Sequence, residues 1–116
     1  MAWVAKIGVY HDYDYFPFQV PDKYHFIYIG EKSYVHGSVP ISTIEDIEET
    51  GNEIYSLLMD THLKAMEERQ YLEVIHSKSD NMIAYLFGFN GNDFGSHIEV
   101  LINGNTCEIV GCWQGE

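Results

Sequence analysis

Ser42-Thr43-Ile44-Glu45-Asp46-Ile47-Glu48-Glu49-Thr50-Gly51-Asn52-Glu53-Ile54-Tyr55-Ser56-Leu57-Leu58-Met59-Asp60 is the one stretch of this chain with a sustained helical period. Ile44, Ile47, Gly51, Ile54, Leu58, Thr61 and Ala65 recur at three-four spacing, which places them on one side of a 3.6-residue helix. Pro40 stands just upstream. Ser42 is positioned as N-cap, with Glu45 three residues later completing a capping box. The pattern predicts a single helix running to about Glu68 with Gly51 in its interior, at a propensity cost of about 1 kcal/mol. A break at Gly51-Asn52 is the alternative.

Outward from the helix the periodicity changes to two. Upstream, Trp3, Ala5, Ile7 and Val9 alternate with Val4, Lys6, Gly8 and Tyr10, a strand pattern. From His11 to Asp22, Pro17 and Pro21 punctuate an aromatic loop carrying Tyr13, Tyr15, Phe16 and Phe18. A second strand covers Tyr24 to Ile29 and a short third one Tyr34 and Val35. Downstream, Tyr71 to Ile75 and Met82 to Phe89 are strands around a polar stretch, His76 to Asn81. His97 to Ile102 and Thr106 to Trp113 flank Asn103-Gly104-Asn105, the strongest hairpin signal. On that hairpin Ile98, Val100, Ile102, Cys107 and Ile109 share one face, with Glu99 and Glu108 on the other. No repeat or linker divides the 116 residues. The expectation is one α+β domain spanning residues 1–116, an antiparallel curved sheet of about six to seven strands packed on one long central helix.

Charge is the most uneven property. There are 18 acids against 6 Lys plus Arg, a formal charge of −12. Gripping nucleic acid needs clustered cations, and this chain has one arginine, Arg69, and scattered lysines. Anionic membrane surfaces are disfavoured for the same reason. Between Thr43 and Glu73 nine acids face only Lys64 and Arg69. At 100° per residue Glu45, Glu49, Glu53, Asp60 and Glu67 fall within an arc of roughly 80°, nearly opposite the apolar stripe. Such a ridge can simply be a solvated face that aids solubility. Uncompensated like charges nevertheless cost a helix a few tenths of a kcal/mol per pair, which favours a surface kept for a cationic partner.

Conventional chemistry is thinly represented. The six histidines form no His-x-x-x-His pair, and no Cys-x-x-Cys, Gly-x-Ser-x-Gly or phosphate-loop pattern occurs. His11 with Asp12 and Asp14 is the nearest approach to a divalent-ion loop, but such short acidic loops are common. No metal or cofactor is expected. His62 reads as a packing residue, and His25 or His97 would need a carboxylate brought close by the fold to act as acid or base. Cys107 and Cys112 are expected to be reduced packing residues on opposite faces of one strand. Free thiols, with no apolar signal region after Lys6, point to the cytoplasm.

These features suggest a non-enzymatic acidic protein that neutralises a basic partner, with a nuclease or another nucleic-acid-binding protein as the leading candidate. The composition resembles that of toxin-immunity proteins and of phage-encoded inhibitors that imitate DNA charge, without any family motif. Glu45, Glu49, Glu53, Asp60 and Glu67 would steer and rim the interface, and Asp12, Tyr13, Asp14 and Tyr15 would anchor it. The alternative is a small ligand-binding or catalytic domain. Its pocket would lie between sheet and helix, walled by Tyr24, Tyr28, Phe87 or Trp113 with His25 or His97 as polar group.

Overall fold

The computed structural model describes residues 6–18, 25–26, 34–67, 69–89 and 97–114. Strand β1 is Lys6–Tyr13 and the two-residue β2 is His25–Phe26; a 3-10 turn, His36–Ser38, leads to helix α1, Ile44–Thr61. The four-residue helix α2, Leu63–Met66, precedes β3 (Arg69–Ser77), β4 (Met82–Phe89), β5 (Ile98–Asn103) and β6 (Glu108–Gln114). Five strands of substantial length, with β2 at one edge, form a sheet in the order β1-β3-β4-β5-β6-β2.

The α+β class and the long helix agree with the sequence reading; the wholly antiparallel sheet does not. β1 pairs in parallel with β3, from Lys6 opposite Tyr71 to Tyr13 opposite Ser77, while the other pairs are antiparallel. A helical crossover returns the chain to the end it left, so a strand entering after it can lie parallel to one before it. β1 also continues through His11 and Asp12 to Tyr13, where an aromatic loop was expected. Pairing with β3 extends it, since alternation puts His11 and Tyr13 on one face and Tyr10 and Asp12 on the other.

On α1 the buried positions are Ile47, Thr50, Gly51, Ile54, Tyr55 and Leu58. They meet Val74, Ile83, Tyr85, Phe87, Ile98, Val100 and Ile102 from the sheet. Each such aliphatic side chain contributes about 1.5–3 kcal/mol of burial. Tyr85 adds a polar fastening, its hydroxyl donating to the Ile47 carbonyl at 2.9 Å.

Three helix details depart from expectation. The N-cap is Thr43 rather than Ser42, and its box partner is Asp46 rather than Glu45. Thr43 Oγ1 accepts the Asp46 N–H at 3.1 Å while Asp46 accepts the Thr43 N–H at 3.2 Å. Ile44, assigned to the apolar stripe, is therefore a first-turn residue and 54% exposed. The helix continues through Gly51 and breaks at His62, short of the expected end, where φ of −137° and ψ of 49° leave the helical region. Just before it, the Thr61 hydroxyl donates back to the Leu57 carbonyl at 2.9 Å, a bond that bends helices. Beyond the break Met66, outside the predicted stripe, is fully buried.

The β5–β6 hairpin forms as expected, with a longer turn over residues 104–107. A register shift opposite Leu101 and Ile102 skips Val110, so Ile109 and Cys112 face the same way. Cys107, in the turn with φ 59°, joins the same core. Both cysteines are free and buried, but on one side of the sheet rather than two. On the other face Ala84, Leu101 and Trp113 form a smaller cluster with Phe18, Ile75, Met82 and Leu86.

Candidate functional site

Two features offer themselves: the outer side of α1 and a cleft at its N-terminal end. On the helix, Glu45, Glu48, Glu49 and Asp60 are exposed. Among the described residues no ion pair or hydrogen bond engages their carboxylates. Glu53 departs from this pattern. It is half-buried, and its Oε2 accepts the backbone N–H of His36 at 2.7 Å. That bond docks the 3-10 turn, in which His36, Gly37 and Ser38 all have positive φ, of 55°, 60° and 63°. Asp46 assists, lying 3.6 Å from His36 Nε2 while holding the cap. Its carboxyl pKa is lowered, mainly by the backbone N–H of Ser42. Glu67 is exposed but follows the break at His62, so it does not continue the α1 ridge. The five-acid line inferred from an unbroken helix thus shortens to Glu45, Glu49 and Asp60, flanked by Glu48.

The tyrosine-acid segment is less free than its sequence suggests. Lys78 reaches Asp12 at 3.5 Å and Asp14 at 3.4 Å, and its pKa is raised by Asp12 first. Tyr13 is stacked with His11 at 6.3 Å between centroids and tilted against Phe16 at 5.1 Å, yet remains 40% exposed. Tyr15 is 64% exposed. His11 is held by Glu73 at 2.8 Å on the face opposite Asp12, so His11, Asp12 and Asp14 do not converge as metal ligands would.

The cleft lies where Tyr10 and Asp12 of β1, His76, Lys78 and Asn81 around the β3–β4 turn, and the segment Ile41 to Ile44 meet; its volume is about 440 Å³. Its polar groups have a fixed direction. Asn81 Nδ2 donates to the Ile41 carbonyl at 3.0 Å and to Asn105 Oδ1 at 3.2 Å, which turns Asn81 Oδ1 toward His76 Nε2 at 2.9 Å. Nε2 must then carry a proton, and in the neutral ring Nδ1 accepts from the Tyr10 hydroxyl at 2.9 Å. Burial, and secondarily Asp12, raise the Tyr10 pKa.

Sequence reading missed this cleft. Its only sequence signal was the polar run His76 to Asn81 between two strands. The walls named for a pocket lie elsewhere: Phe87 is in the helix-side core and Trp113 on the opposite face, while Tyr24 and Tyr28 lie outside the described residues. His25 sits opposite Gln114 at the β2 edge and His97 directly precedes β5. No helix among the described residues is long and apolar enough to cross a membrane. No protein family, curated protein or solved structure matches this chain.

Proposed function

We propose that this protein acts by binding a basic protein through the outer face of α1, neutralising a cationic surface such as that of a nuclease or another nucleic-acid-binding protein. One observation carries the reading: Glu45, Glu48, Glu49 and Asp60 are exposed and uncompensated on the face of α1 turned from the core. Charges so placed steer association and supply rim contacts. Tyr13 does not belong to this surface: it lies on the opposite face of β1 from Tyr10, away from α1, and stacks toward Phe16 and Phe18. The test is the triple reversal Glu45→Lys, Glu49→Lys and Asp60→Lys; Glu53 is left intact because it holds the His36 turn. Association with a basic partner captured from the native host should slow at least about tenfold at low salt and lose most of its salt dependence. Unchanged association would remove the reading.

A second reading, a site for a small hydrogen-bonding ligand, is favoured by the cleft around His76, where several titratable side chains converge. Screening small polar molecules by NMR should then yield hits that shift Tyr10, His76 and Lys78 together and weaken in Tyr10→Phe. A screen without such hits would sink it.

A further inference from the structure

The break in the helix at His62 creates a notch that the acidic face alone does not explain. Ser56, Met59 and Asp60 from the last turns of α1 and Leu63 from the start of α2 line an open hollow of about 410 Å³. Its chemistry is mixed in a specific way. Leu63 is 54% exposed and Met59 half-buried, while Asp60 is exposed beside them with no cation on its carboxylate among the described residues. Met66 reaches the core beyond the break, and Leu63 stays outside as an apolar shelf next to a free carboxylate.

An apolar group settling on Leu63 and Met59 would strip water from Asp60 without replacing it, which is unfavourable. A small hydrated ammonium would pair with Asp60 and leave the shelf wet. An arginine side chain meets both requirements. Its methylene stem and weakly hydrated guanidinium plane cover apolar surface, and its fork of donors matches a carboxylate with a neighbouring hydroxyl acceptor. We infer that this notch is the seat of an arginine side chain presented by the basic partner. The inference rests on the acidic-face reading and adds the anchor that the face lacks, since exposed acids confer rate more than residence time.

The test uses two probes of equal charge, hexa-arginine and hexa-lysine peptides, titrated into the intact protein by calorimetry at low and at physiological salt. Wild type should bind hexa-arginine several-fold tighter than hexa-lysine. Leu63→Ser changes no charge and replaces an exposed side chain, so the fold should persist, as circular dichroism will check. It should reduce that preference roughly three- to tenfold while leaving hexa-lysine binding unchanged. Glu45→Lys with Glu49→Lys should weaken both peptides and preserve their ratio. Equal affinity for the two peptides in wild type, or a preference that survives Leu63→Ser, overturns the notch while leaving the acidic face standing. Indifference of both peptides to Glu45→Lys with Glu49→Lys overturns the face itself and the notch with it.

Discussion

At the scale of single residues, burial decides which acidic groups behave as charges. Glu99 lies on β5 facing away from α1, half-buried beside Trp113, whose indole N–H donates to its carboxylate. Burial raises the Glu99 pKa above the ordinary 4.5. A carboxyl whose folded pKa exceeds its unfolded value keeps its proton longer in the native state. Its contribution is therefore full below the unfolded pKa and is lost as pH rises through the folded one. Glu99→Gln keeps an acceptor for Trp113 and removes the charge. It should melt about 2–4 °C above wild type at pH 7, the gap closing as pH falls toward 4. A variant no more stable than wild type at pH 7, or one whose advantage grows in acid, would refute this account. Cys112, in the core on the opposite face of the sheet, feels the same carboxylate: burial first, then the Glu99 charge, push its thiol up to about 12. It stays protonated at neutral pH, as a packing residue would.

Elements are joined here by turns as much as by strands. Gly104, in the β5–β6 turn, donates its N–H to the Asn81 carbonyl in the β3–β4 turn at 2.7 Å, and its own carbonyl accepts from Ile41 at 2.8 Å. A Cβ at Gly104 would fall 2.5 Å from that Asn81 oxygen and 2.7 Å from Asn81 Cγ. No flexible tip can yield there, because Asn81 is tied to Ile41, Asn105 and His76 and itself adopts φ 51°. Gly104→Ala should therefore cost about 1–3 kcal/mol in chemical denaturation and disturb the His76 ring signals. A loss below about 0.5 kcal/mol with unchanged ring signals would show that the two turns are not clamped. The sequence marked both turns as polar, and Gly104 as hairpin punctuation. That the glycine is demanded by a second turn far away in the chain was beyond local pattern.

For the whole molecule, the charge of −12 separates into working and spare carboxylates. Asp46 caps α1, Glu53 docks the His36 turn, Glu73 holds His11, and Asp12 and Asp14 share Lys78. What remains along α1 is Glu45, Glu48, Glu49 and Asp60, a repulsive set that salt should relieve. In the triple reversal, relief of like-charge repulsion offsets the roughly 0.3–1 kcal/mol that Glu45→Lys costs at the positive end of the helix. The fold should therefore stay intact, and slower association would report on recognition.

The long amphipathic helix, the buried stripe from Ile47 to Leu58, the final hairpin with its inward set, and the concentration of acids on α1 are all legible in the residue order. These rest on local periodicity, which physics imposes within a few turns or a single strand. The parallel pairing of β1 with β3, the withdrawal of Glu53 into a bond with the His36 turn, and the assembly of Tyr10, His76 and Asn81 beside the helix start arise only in the tertiary structure. Each depends on partners distant along the chain, whose proximity is set by packing and whose hydrogen bonds decide which charges remain for solvent or for another protein.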